Sequence, residues 1–131
     1  MNLRQTFLVG LLLGQCSLAE ANWPDFRGPD QNGHAGGMGV TNRIGLPTQW
    51  SDSENVKWKT PLPHKGWSTP VIQGDQIWLT TATPEGREFF AVCVAANTGK
   101  ILYNERLFHC ETPEPLGNNL NSYASGSPVI E

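Results

Sequence analysis

From Ser68 to Phe108 the chain alternates apolar and polar positions in four short runs, and the alternation breaks at three places. In Gln76–Ala82 the residues Ile77, Leu79 and Thr81 fall on one side of an extended chain, and Trp78, Thr80 and Ala82 on the other. A period of two belongs to a β-strand, whose successive side chains point to opposite faces. Ser68–Gln73, Glu88–Ala95 and Lys100–Phe108 supply three more such runs. In the third, Phe90, Val92 and Val94 share one face, and Phe89, Ala91 and Cys93 the other. The breaks are turn signals: Gly74-Asp75, Pro84-Glu85-Gly86 and Asn97-Thr98-Gly99. Connections this short join antiparallel neighbours, so the pattern predicts a four-stranded up-and-down sheet over about residues 66–108.

The chain then starts the sheet again. Thr69-Pro70-Val71-Ile72 recurs as Ser127-Pro128-Val129-Ile130, and each copy follows an aromatic residue and small polar ones, Trp67-Ser68 and Tyr123-Ala124-Ser125. Two partial copies are open to a chance match between β-rich stretches. As a repeat of four-stranded units they point to a β-propeller of antiparallel blades, one blade at about 66–108 and the start of a second at about 122–131.

Ahead of the sheet, residues 22–63 form an extended leader with little regular pattern, from Trp23-Pro24 through Arg27-Gly28-Pro29 to Leu46-Pro47 and Trp50. Within it Val56, Trp58 and Thr60 alternate, which predicts a short strand able to close a ring by joining the last blade. Residues 1–21 read as a secretory signal: Arg4, an apolar run Phe7–Leu13, and Ala19-Glu20-Ala21 before Asn22. That run is too short to span a bilayer, which takes roughly 20 apolar residues. Lipidation at Cys16 fits poorly, because Gln15 stands where a small residue is usual. The expected location is the periplasm, the cell surface or the exterior.

Charge and candidate chemistry narrow the function. The net charge is −3, and removing Arg4 with Glu20 leaves it there. No basic footprint for nucleic acid results, since Lys57-Trp58-Lys59 and Lys65 are the only local cluster and read as a solvated strand edge. Export leaves Cys93 and Cys110, a pair that is either bridged or free. Asp30-Gln31-Asn32-Gly33 lacks the later carboxylates of a calcium loop and reads as an Asx turn. Thr98-Gly99-Lys100 has Val94 where a phosphate loop needs glycine, so it reads as a hairpin closure. His34, His64 and His109 have no metal-binding spacing. Ser68, Ser122, Ser125 and Ser127 sit in no nucleophile elbow, and Glu111 and Glu114 fall in the Pro-rich loop Thr112–Asn121. No catalytic, cofactor-binding or metal-binding residue is assigned.

Ala91-Val92-Cys93-Val94-Ala95-Ala96-Asn97-Thr98-Gly99-Lys100-Ile101-Leu102-Tyr103 resembles the repeat of the PQQ-like, or quinoprotein-like, β-propellers, approximately Ala-x-Asp-x-x-Thr-Gly-Lys-x-x-Trp. Ser68–Ile72 and Gly74–Trp78 resemble the first two strands of such a blade, and the leader resembles that of secreted bacterial members. The resemblance implies an all-β propeller of which this chain carries an N-terminal piece. Cys93 stands at or beside the usual aspartate, and Tyr103 replaces the tryptophan that docks between blades. The quinone-dependent dehydrogenases of the group also have adjacent cysteines and a calcium site, and this chain has no such cysteine pair. The expected function is therefore an exported non-enzymatic scaffold holding a protein or polysaccharide on blade loops such as Thr112–Asn121. The alternative is the first part of a PQQ- and calcium-dependent oxidoreductase whose cofactor residues lie in later blades.

Overall fold

The computed structural model describes residues 22–35 and 46–131. They are all-β: β1 (Val71–Gln73), β2 (Gln76–Ala82), β3 (Glu88–Ala95) and β4 (Ile101–His109) form one antiparallel sheet in the order β1-β2-β3-β4. The expected signal segment 1–21 lies outside the described residues. Among those described, no helix is long and apolar enough to cross a membrane.

The bounds of β2 and β3 are those the alternation predicts, and the register confirms the two faces. Leu79 pairs with Val92 and Ile77 with Val94, while Trp78 pairs with Cys93 and Ala82 with Phe89. β4 is displaced by one residue from the predicted Lys100–Phe108, because the Ala95 and Gly99 amides, with Lys100 O, are spent closing the turn. The larger correction is β1. Ser68–Gln73 was the expected strand, but the ladder runs only over Val71–Gln73. Pro70 has no N–H to donate, which breaks the pairing. Upstream, Lys65 and Ala82 exchange both backbone bonds, and the Ser68 hydroxyl bonds to Thr80 N and Thr80 O where a strand backbone would have done so.

The turns carry the strain where glycine can bear it. Gly74, Gly86 and Gly99 all have positive φ, at 57°, 70° and 72°. At Gly99 a side chain would also be driven into the Trp58 ring at 2.6 Å. Asp75 ties two turns together: its carbonyl accepts from Ala96 N, and its carboxylate accepts from Asn97 Nδ2 at 2.6 Å. Thus the Asn-Thr-Gly-Lys hairpin is anchored to the β1–β2 hairpin at the same end of the sheet.

Over β2 and β3, each face of the sheet is covered by chain that is not strand. On one face Leu79, Phe90, Val92 and Val94 form the core cluster, with Trp58, Ile77 and Ile101 packed against it. His64 stacks on Phe90 with centroids 4.0 Å apart. The leader segment 56–64 therefore lies across this face. Val56, Trp58 and Thr60 turn inward as their alternation predicts, but they pair with no described strand. Trp58 Nε1 donates to Ala96 O and Thr60 Oγ1 to Gly99 O. The Lys57-Trp58-Lys59 cluster is accordingly not a solvated edge throughout, since its indole is packed on the core. On the other face Thr80 Oγ1 donates to Gly126 O, and Phe89, Phe90, Leu107, Phe108, Tyr123 and Ala124 are among the residues lining an apolar cavity of about 300 Å³ beside it.

Candidate functional site

The three histidines are dispersed, whereas Ser122 and Ser125 lie side by side, their hydroxyls 3.4 Å apart, and Ser127 bonds Thr69 beside Ser68. His34 caps a leader turn, its N–H donating to Asn32 Oδ1. His64 lies on Phe90, and His109 ends β4 opposite Glu88. Asp30-Gln31-Asn32-Gly33 is the expected turn, with Gln31 N–H donating to Gly28 O and Gly33 N–H to Arg27 O. Ser68 and Ser127 spend their hydroxyls on backbone partners, Thr80 and Thr69. Glu111 contributes its carbonyl oxygen to Arg87 Nη1 at 2.7 Å. Among the described residues no three His, Cys, Asp or Glu side chains come together as a metal would need.

Cys93 and Cys110 are both free thiols. Cys110 N–H donates to Arg87 O, and Arg87 precedes Cys93 by about six residues of extended chain, which is roughly 20 Å at 3.3 Å per residue. A disulfide needs its two Cα atoms within about 7 Å, so these positions do not bridge. Cys93 is fully buried, and burial pushes its thiol above the ordinary value against a backbone hydrogen bond from Ile77 that lowers it.

What the structure does assemble is a cleft of about 420 Å³ where three stretches of chain meet. Lys65 and Trp67 come from the segment bridged to the end of β2, Thr83 and Pro84 from the β2–β3 turn, and Leu116, Asn119, Asn121, Ser122 and Tyr123 from the return loop. Ala82, almost fully buried, also lines it. The volume is in the lower part of the range of about 300–1,000 Å³ usual for small-molecule pockets.

Local bonds hold the walls. Trp67 N donates to Ala124 O at 2.9 Å, and Lys65 is held by both bonds to Ala82. Tyr123 donates its hydroxyl to Glu114 O at 3.0 Å, and its ring lies over Gly86, where a Cβ would come within 2.5 Å of it. Asn121 Oδ1 accepts from Ser122 N and Ser125 Oγ. The loop Thr112–Asn121 was the stretch expected to hold a partner, and it supplies three lining residues. Lys65, Trp67 and the turn residues were not expected as its counterparts, because only the Lys65–Ala82 and Trp67–Ala124 bonds bring them to it.

No family model, curated protein or solved structure matches the chain.

Proposed function

We propose that the chain is an exported, non-enzymatic binding module of propeller type, holding a protein or polysaccharide partner on its blade loops. The observation that carries this reading is the contact between the two repeat copies. Thr69 N donates to Ser127 Oγ at 2.9 Å, so equivalent positions, 58 residues apart in sequence, are direct neighbours in space. A ring of like units has this property, because each unit meets the next through corresponding elements.

The second copy also reaches the leader. Trp23 exchanges both backbone bonds with Ile72, and Ile130 N donates to Pro24 O at 3.0 Å. A single leader segment thus touches both copies of the Pro-Val-Ile motif. The Asn97-Thr98-Gly99-Lys100 hairpin, joined to Asp75, agrees with the same repeat. The cleft between Trp67 and the return loop supplies a place for a ligand.

The test is the mass and absorption spectrum of the native exported product. A mass several times that of this chain, with no quinone absorption, is the expected result. A mass no larger than this chain would overturn a single-chain ring, and a bound quinone chromophore would overturn the non-enzymatic reading.

A further inference from the structure

We infer that the cleft between Trp67 and the return loop binds an acidic saccharide, a sugar unit bearing a carboxylate. The inference rests on the reading of the chain as a binding module and names the class of ligand.

Three features of the lining carry it. The first is a large flat surface that the fold leaves open: the Trp67 indole is 63% exposed, although its backbone is tied down to Ala124 O. An exposed aromatic face on a fixed backbone matches the apolar C–H face of a pyranose ring and loses little conformational freedom on contact. The second is the density of side-chain hydrogen-bonding groups. Asn119, Asn121 and Ser122 line the same space, beside Thr83, whose hydroxyl oxygen already accepts from Arg87 N and Glu88 N. Asn121 commits only its oxygen to the loop, so its two N–H donors have no partner among the described residues. The third is charge. Lys65 lines the cleft, no aspartate or glutamate does, and Lys65 forms no ion pair among the described residues. Lys65 is thus a cation free to pair with a ligand carboxylate.

An extended peptide fits less well. Strand addition needs a row of free backbone donors and acceptors, and along the Lys65–Trp67 wall and the β2–β3 turn the main bonds are already made: Lys65 pairs with Ala82, Trp67 N with Ala124 O, and Thr83 N with Glu88 O. Recognition in the cleft is left to side chains, which suits a hydroxyl-rich ligand.

The full chain would be titrated calorimetrically with an oligogalacturonate and with its methyl-esterified, uncharged counterpart. The acid is expected to bind at least about tenfold more tightly, the worth of one charge-assisted hydrogen bond. Lys65→Gln should erase that difference, while Trp67→Ala should weaken both ligands by about tenfold through lost ring contact. Circular dichroism would show that both variants keep the β-sheet. Equal affinity for the two sugars, binding unaffected by both substitutions, or equally tight binding of a polyglutamate peptide would overturn the proposal. Neutral sugar bound through Trp67 would overturn the acidic class and leave the binding-module reading standing. Failure of either sugar to bind, together with a quinone in the native product, would overturn both.

Discussion

At the residue scale, Cys93 shows how a position takes its chemistry from its place in the sheet. It stands at or beside the usual aspartate of the resembled repeat, yet it is fully buried on β3 opposite Trp78. A carboxylate there would need partners that the neighbouring apolar side chains do not offer, whereas a thiol packs as a small apolar group. Burial raises the Cys93 pKa, so the folded state holds the thiol proton more tightly than the unfolded chain does. The unfolded state then binds fewer protons above the ordinary thiol pKa of about 8.5, and stability falls as pH rises through that window towards the raised folded value. Urea unfolding between pH 7 and 10 should show this decline, with Cys93→Ala flattening it. An unchanged pH slope in that variant would assign the decline elsewhere. Thr81 is the other buried anomaly: its hydroxyl is inaccessible and has no hydrogen-bond partner, a small standing cost in the core.

At the element scale, β4 is the outlier. β2 and β3 are covered on both faces, whereas every residue of β4 after Ile101 is exposed. It is also the sheet edge, with Leu102, Tyr103, Leu107 and Phe108 between 42% and 56% exposed. Stacking of Tyr103 on Trp78 and of Phe108 on Phe89 attaches it to the sheet without covering it. Its one side-chain ion pair, Arg106 with Glu88 at 2.9 Å, is largely solvent-exposed and contributes little. A long exposed edge with apolar residues at both ends, around the polar Asn104-Glu105-Arg106, favours strand-to-strand association. Leu107 lies at the bulge where the β3 register shifts between Phe89 and Phe90, so it pairs with no β3 residue. Leu107→Lys should therefore suppress concentration-dependent association in light scattering while changing unfolding stability by no more than about 0.5 kcal/mol. Undiminished association would place the sticky surface elsewhere. The turns at this scale were readable because their residue types have few alternatives, glycine at positive φ above all. The end of β1 was less so: Pro70 marks a break, but the use of Lys65 and Ser68 as substitutes depends on where β2 lies.

At the scale of the whole molecule, the return segment ties separate parts of the chain together. Through Ala124 and Ser127 it binds the chain just ahead of β1, and through Ile130 it binds the leader at Pro24. Ser127→Ala removes the acceptor for the Thr69 N–H and should cost about 1 kcal/mol. Hydrogen exchange should show faster loss of protection at Thr69 than at Val92 in that variant. Equal protection to that of the native chain would mean that the contact between copies is not maintained in solution. The sequence by itself determined the four strands of the sheet, the two faces of β2 and β3, the three turns and the recurrence of Pro-Val-Ile, whereas the further strands expected at Val56–Thr60 and at about 122–131 do not form. Those are local properties, set by a period of two and by backbone restrictions within a few residues. Only the tertiary structure decided that 56–64 lies across the sheet face without joining a ladder, that Cys93 and Cys110 are far apart, and that Lys65, Trp67 and Tyr123 share one cleft. Each of these joins residues distant in the chain, and alternation along a strand carries no information about which distant segment covers its face or reaches its end.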